Sequence, residues 1–193
     1  MRKLFLIPVA LLLFAFAAFA QGPSVLKPPK GSQMAIVVFE DLQCPMCRQT
    51  SPVVEQAAKS YNLPLVRYDF PLPGHNWSFD AAVMARYFEH QSKELSDQFR
   101  VYIFSHQTEI FPTNLRTFAD RFAAEHKTSL PFVMDPNGNL AAEVSADRDL
   151  GKRIGIQHTP TVYIVSNKTG SQPFVEVQKP TEELFQTIDA MKR

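Results

Sequence analysis

The chain has 193 residues, of which 20 are Lys or Arg and 19 are Asp or Glu, giving a formal net charge of +1. This balance excludes an electrostatic basis for binding nucleic acid or an anionic membrane surface. The two cysteines are too few for a disulfide scaffold, but they suffice for one reactive pair.

The first twenty residues have the three parts of a secretory signal. Arg2 and Lys3 make a basic start, an apolar run follows over residues 4–19, and the segment ends in the small residues Ala18 and Ala20. We therefore predict a signal peptide over residues 1–20, with an uncleaved transmembrane anchor as the alternative. Either interpretation places the folded part in the periplasm or another extracytoplasmic space.

A folded domain is predicted over residues 34–193, after a flexible, proline-containing tether at residues 21–33. Its length suits a single hydrophobic core. The apolar, β-branched run at 34–39 indicates a buried central strand, because it does not alternate with polar residues. A helix extending to Tyr61 and a strand at 63–70 follow. Together they predict a βαβ unit with a right-handed connection.

Helical patterns dominate the middle of the chain, where we predict a helical insertion at about 75–130. Its helices are predicted at 79–90, 94–104 and 115–126. A further helix at 140–153 ends before Gly155, a residue type that is favoured just after a helix. Two strands at 161–165 and 174–177 are predicted next, and Thr181 is expected to cap a final helix at 182–192.

Cys44 and Cys47 lie where the first strand gives way to the first helix. A bridge across so short a loop removes little entropy from the unfolded chain, which argues against a purely structural disulfide. We therefore favour redox exchange over a structural role, and metal binding ranks third.

The position of Cys44 at the start of a helix predicts its role. There the sulfur faces the positive end of the helix dipole, which stabilises a thiolate. Pro45 fits the first helical position because it lacks an N–H. Cys44 is the predicted nucleophile, and Cys47 is predicted to close or resolve the mixed disulfide.

Two segments resemble the DsbA family of extracytoplasmic thiol–disulfide oxidoreductases. The stretch from Phe39 to Cys47 matches the common family motif F-x-D-F/Y-x-C-P-x-C, with Leu at the F/Y position. Residues 146–161 resemble the family segment that leads to a Thr-Pro or Val-Pro pair. The predicted element order is that of the thioredoxin fold, an α/β fold with a central mixed sheet flanked by helices. A helical insertion lies between its βαβ and ββα halves.

The resemblance also implies roles for residues outside the cysteine pair. In that family the proline at the position of Pro160 is cis and faces the cysteines, and the backbone of the residue before it, here Thr159, is offered to an extended client peptide. An ordinary trans proline at the start of a strand is the alternative. Met46 occupies the variable position between the cysteines, where side chains tune the redox poise.

Glu40, Asp41 and His158 are weaker candidates. Either acid is expected to accept a proton from Cys47 during exchange or to be a solvated residue at a strand end. Asp41 is the better candidate because it matches the family motif. His158 is next to the Thr-Pro pair and either tunes the thiolate or lies on the surface.

The expected function is that of a monomeric, exported protein that exchanges a Cys44–Cys47 disulfide with cysteines of secreted or envelope proteins. Oxidation of these clients is the favoured direction, and a membrane redox partner is expected to restore the pair. We expect no cofactor beyond the disulfide, no metal and no nucleic acid. The alternatives are a periplasmic reductase for a specialised client and a thioredoxin-like module that binds a soft metal such as Cu(I).

Overall fold

The computed structural model describes residues 22–168 and 172–192, and the predicted signal peptide at 1–20 lies outside them. The regular elements, after a short helical turn at Pro23–Val25, are β1 (Met34–Glu40), α1 (Pro45–Tyr61), β2 (Leu65–Asp69), α2 (Ser78–Glu89), α3 (Lys93–Ser105), α4 (Leu115–Glu125), α5 (Asn139–Ile154), β3 (Thr161–Ser166), β4 (Phe174–Val177) and α6 (Pro180–Lys192). None of the described helices is both long and apolar enough to cross a bilayer.

The four strands form one mixed sheet in the order β2-β1-β3-β4. β1 is parallel to β2 and antiparallel to β3, and β4 pairs antiparallel with β3. All seven residues of β1 are buried, as its unbroken apolar run predicted, because helices cover both faces of the sheet. This arrangement confirms the predicted thioredoxin fold.

Helices pack on both faces of the sheet. On one face, Val54 of α1 and Leu184 and Ile188 of α6 contact the buried side chains of the strands. On the other face, α5 contributes Ile154. The sheet is therefore the middle layer of three, which fixes the end of β1 rigidly in the protein interior.

Helices α2, α3 and α4 pack around the rings of Phe88, Phe99 and Phe122, whose centroids lie 4.7, 5.1 and 5.2 Å apart. Cys44 and Cys47 belong to the same buried cluster. The helical insertion therefore forms one wall of the site that holds the two cysteines.

The observed ends of the strands and helices differ from the predicted ones by at most two residues. The predicted cap of the final helix is wrong: α6 begins at Pro180, so Thr181 lies inside its first turn. Proline starts the helix earlier because its missing N–H costs nothing there. Within the predicted tether, Leu26 is 2% exposed and packs beside Val37 and Tyr163, so that segment is anchored on the sheet at this point.

Candidate active site

Cys44 is the residue immediately before helix α1, and Pro45 is the first residue of the helix. Proline fits this position because an N–H there would have no partner inside the helix. Cys47 lies in the first turn. Both cysteines are unbridged thiols, and only 6% and 2% of their surfaces are exposed. The pair is thus placed at the amino end of a helix with little of its surface exposed.

The loop before β3 brings Thr159 and Pro160 to the cysteines. Thr161, the first residue of β3, pairs with Phe39 near the end of β1. The residues just before β3 therefore lie beside the residues just after β1. The Thr159–Pro160 peptide bond is cis, and the Cys44 sulfur lies 3.3 Å from the Thr159 carbonyl oxygen, which accepts a hydrogen bond from the protonated thiol. Two distant segments of the chain thus form one site.

Hydrogen bonds lower the pKa of Cys44 from its ordinary value to about 5. The thiol of Cys47 makes the largest contribution, and the backbone N–H groups of Cys47 and Met46 add smaller ones. Burial opposes them and is outweighed. The backbone N–H groups are free to act on the sulfur because the first turn of a helix leaves them without carbonyl partners. Cys44 is therefore a thiolate at neutral pH.

Cys47 behaves in the opposite way. Burial is the main reason that its pKa is raised well above the ordinary value, and the hydrogen bond and charge of Cys44 add to this effect. The carboxylate of Glu40 also raises the pKa of Cys47, whereas the Asp41 N–H, 3.4 Å from its sulfur, acts in the other direction. At neutral pH one sulfur therefore carries the negative charge and the other carries the proton.

Asp41 is buried, and its carboxylate accepts four hydrogen bonds. Oδ1 accepts from the N–H of Gln43 at 2.7 Å and from the hydroxyl of Ser78. Oδ2 accepts from the N–H of Leu72 and from Nδ1 of His75, each at 2.7 Å. The side chain thus ties the cysteine loop to the loop between β2 and α2. Its oxygens are already engaged in these bonds, so it is not a solvated acid.

Glu40 lies in a buried cluster of ion pairs. Its oxygens are 2.9 Å from Arg67 and 3.2 Å from Arg100. Its neighbour in register on β2, Asp69, bonds to Arg100 at 2.6 and 3.0 Å. Two acids side by side on adjacent strands repel each other, and the shared guanidinium offsets that repulsion. Glu40 is therefore an interior charge with partners, and the expectation of a solvated acid at a strand end does not describe it.

The other predicted residues are at the surface of the site. Pro45 is exposed and Met46 is 53% exposed beside the cysteines. His158 is also exposed, and its backbone carbonyl accepts a hydrogen bond from the Thr161 hydroxyl at 2.8 Å. Within the part of the chain that the structure describes, no group of three or more His, Cys, Asp or Glu side chains is arranged to hold an ion. The copper hypothesis therefore rests on the sulfurs of Cys44, Cys47 and the exposed Met46.

A family model described as thioredoxin matches residues 30–189, a range that includes both cysteines and the Thr159–Pro160 pair. The chain belongs to the thioredoxin family.

Solved structures show the same fold as this thioredoxin-family protein. The thiol-disulfide exchange protein alpha-DsbA2 from Wolbachia pipientis is 19% identical, with a TM-score of 0.64 and coverage of 85% of this chain and 84% of its own. DsbA2 from Pseudomonas aeruginosa is 21% identical, with a TM-score of 0.60 and coverage of 82% of this chain and 88% of its own. BdbD from Bacillus subtilis is 17% identical, with a TM-score of 0.56 and coverage of 86% of this chain and 90% of its own. These likenesses confirm the fold that the DsbA resemblance implied. No curated protein is significantly similar in sequence.

Gln107, between α3 and α4, is a residue of this thioredoxin-family site that the sequence did not reveal. It is 8% exposed, and its Nε2 donates hydrogen bonds to the carbonyls of Leu42 at 2.8 Å and Cys44 at 3.1 Å. These bonds join the helical insertion to the loop that carries the nucleophile. A single glutamine in a loop has no sequence signature, so only the packing of the insertion against this loop identifies it.

We expect Gln107→Met to lower the free energy of unfolding by about 2 kcal/mol at nearly constant side-chain volume. It removes the donor to the buried Leu42 carbonyl and one of the two donors to the Cys44 carbonyl, which keeps the Arg48 N–H at 3.2 Å. Urea unfolding measures the change. Gln98→Met is the matched control, since Gln98 is exposed and its one side-chain hydrogen bond among the described residues is to Glu94 at 3.4 Å. Equal effects of the two substitutions would contradict the role given to Gln107.

The thiolate of Cys44 gives this protein a specific pH dependence. Its pKa is lowered to about 5, so the stability that the thiolate adds to the reduced form is present at high pH and is lost as the pH falls through about 5. We expect the ultraviolet absorbance of the thiolate to titrate with that midpoint in the reduced protein, and the oxidised protein to show no such transition. A midpoint near the ordinary value of about 8.5 would contradict the site geometry.

Proposed function

We propose that this protein is an extracytoplasmic thiol–disulfide oxidoreductase that oxidises cysteines of secreted or envelope proteins. The observation that carries the proposal is the pair of sulfurs with opposite properties. Cys44, which accepts a hydrogen bond from the Cys47 thiol, has its pKa lowered to about 5, while the pKa of the more deeply buried Cys47 is raised. The stabilised thiolate favours the reduced form of the protein, so the disulfide is a good acceptor of electrons.

The proposed reaction has two exchange steps. A client thiolate attacks Cys44 of the Cys44–Cys47 disulfide, that bond breaks, and Cys47 leaves as a thiolate that takes up a proton. A second client thiolate then attacks the client sulfur of the mixed disulfide and releases Cys44 as a thiolate. The client gains one disulfide and the protein gains two electrons. A leaving group of low pKa speeds the second step, which is the role we assign to Cys44.

Client selection is assigned to the backbone beside the nucleophile. The Thr159 carbonyl is already within hydrogen-bond distance of the Cys44 sulfur, so a client strand that bonds to the Thr159 backbone brings its cysteine to the right sulfur. Such recognition is independent of client side chains. It suits a protein that acts on many extended, partly folded clients, and exposed Met46 adds an apolar surface beside the site.

We propose that the reaction takes place outside the cytoplasm. The basic start, apolar run and small residues at 1–20 support export, and oxidation of clients requires an oxidising compartment. A membrane redox partner would return the reduced pair to the disulfide. We propose that the protein acts as a monomer, since the reaction as written needs only the residues of one chain.

Oxidation and reduction of test proteins separate this proposal from the reductase alternative. The oxidised protein, mixed with a reduced and unfolded secretory protein, is expected to transfer one disulfide per molecule, counted by mass after alkylation. The reduced protein is expected to cleave insulin disulfides only slowly. Rapid insulin reduction without transfer of disulfides to the unfolded protein would show that the direction is reversed.

A further inference from the structure

A pocket of about 380 Å³ lies between the β2–α2 loop and helix α5. Its lining includes neither cysteine, nor Thr159, nor Pro160, so it is separate from the exchange site. The volume is within the range of roughly 300 to 1,000 Å³ that is usual for small-molecule sites.

The lining combines apolar walls with positive charge. Phe70, Leu72 and Phe79 are among the apolar residues, while Arg148 and Lys152 bring cationic groups from successive turns of α5. No acidic residue lines the pocket. An environment of this kind is complementary to a ligand that has an apolar body and a negatively charged end.

Arg148 is the feature that points to an anion. Its Nε is buried without a hydrogen-bond partner among the described residues, and Arg148 forms no ion pair with any of them. By contrast, Arg67 and Arg100 each contact two carboxylates or more. A buried donor without a partner is costly, and structures seldom leave one without a ligand or water to satisfy it.

The other polar residues of the pocket are compatible with the same ligand. Lys152 lies 3.7 Å from Asp149, and both are more than half exposed, so its ammonium group is only loosely held. Leu72 and His75, which also line the pocket, both bond to the Asp41 carboxylate. The pocket is therefore next to the loop that Asp41 fixes beside the cysteines.

We propose that this pocket binds a carboxylate attached to an apolar group, with the Arg148 guanidinium as its main partner. Guanidinium and carboxylate match in geometry and form charge-assisted hydrogen bonds. The apolar walls select an organic acid over inorganic anions. The carboxylate comes either from a free organic acid or from an acidic side chain of a polypeptide.

NMR titration of the purified protein with 4-phenylbutyrate tests the proposal. A parallel titration with 4-phenylbutanamide, which has the same apolar group but no charge, is the control. We expect the acid to bind with a Kd of about 1 mM or lower and the amide to bind about tenfold more weakly. Arg148→Met should remove this preference for the acid. Arg153→Met, an exposed position on the same helix outside the pocket, should retain it. Both variants should keep full exchange activity, which shows that they are folded.

A second arm identifies the source of the carboxylate. It uses the blocked tripeptide Phe-Glu-Phe and its Phe-Gln-Phe twin. If only phenylbutyrate binds more tightly than its neutral twin, the natural ligand is a free organic acid. If the Phe-Glu-Phe peptide binds more tightly than Phe-Gln-Phe, the carboxylate comes from a polypeptide. Both results support the proposed chemistry. If neither acid binds more tightly than its neutral twin, or if Arg148→Met leaves the preference intact, the proposal is wrong. That result would not affect the exchange function, which depends on other residues.

Discussion

We expect Cys44→Ser to lose thiol–disulfide exchange, with a fall in rate of about 10³-fold or more, to that of the uncatalysed reaction. Serine has nearly the same shape, so the fold is retained, but the hydroxyl cannot form the disulfide that carries the electrons. The measurement is the rate of disulfide transfer to a reduced test protein. Substantial residual transfer by this variant would mean that Cys44 is not the nucleophile.

Cys47→Ser is the matched variant, because it removes the other sulfur of the same pair. Here Cys44 can still attack a client disulfide, but no second sulfur is present to resolve the product. We expect stable mixed disulfides between Cys44 and the client, visible as an added mass that a reductant removes. If neither variant changes the rate, or if Cys47→Ser forms no adduct, the assigned order of attack is incorrect.

Arg100→Met is expected to lower the free energy of unfolding by about 3 to 5 kcal/mol. Arg100 is 1% exposed and bonds to both Asp69 and Glu40. Removing its charge leaves two buried acids side by side without their shared partner, and this costs more than the pair contributes when it is complete. Urea unfolding monitored by far-ultraviolet circular dichroism measures the loss.

The control for Arg100→Met is Arg116→Met. Arg116 pairs with Asp120 at 3.0 Å on an exposed helix surface, where 39% and 50% of the two side chains are accessible. Solvent screens such a pair, so we expect a change below about 1 kcal/mol. Similar losses in the two variants would show that the buried charges near β1 contribute no more than surface ones.

The fold follows closely from local sequence patterns. The unbroken apolar run that starts at Met34 indicated a strand covered on both faces, and regular apolar spacing after Pro45 indicated the helix that positions the cysteines. The spacing of Cys44 and Cys47 and the late Thr159–Pro160 pair indicated where the chemistry lies. These features could be predicted because each depends on residues that are close together in the sequence or on one motif.

The contacts around the cysteines could not be predicted from the sequence in the same way. Asp41 is not a solvated acid at a strand end, because the β2–α2 loop folds over it and supplies two of its four hydrogen bonds. Glu40 likewise finds its partners on β2 and α3. Gln107 approaches the active loop from the helical insertion. Such pairings depend on how distant segments pack, which local periodicity does not encode.

The direction of electron flow is the central claim, and the equilibrium of the Cys44–Cys47 pair with glutathione tests it most directly. The fraction of disulfide is read by alkylation and mass across a series of glutathione buffers at several pH values. We predict a potential clearly more oxidising than the value of about −270 mV for thioredoxin, falling by roughly 30 mV per pH unit near neutrality, since only Cys47 binds a proton on reduction. A potential at or below that of thioredoxin, with a slope of roughly 60 mV per pH unit, would contradict the oxidase assignment.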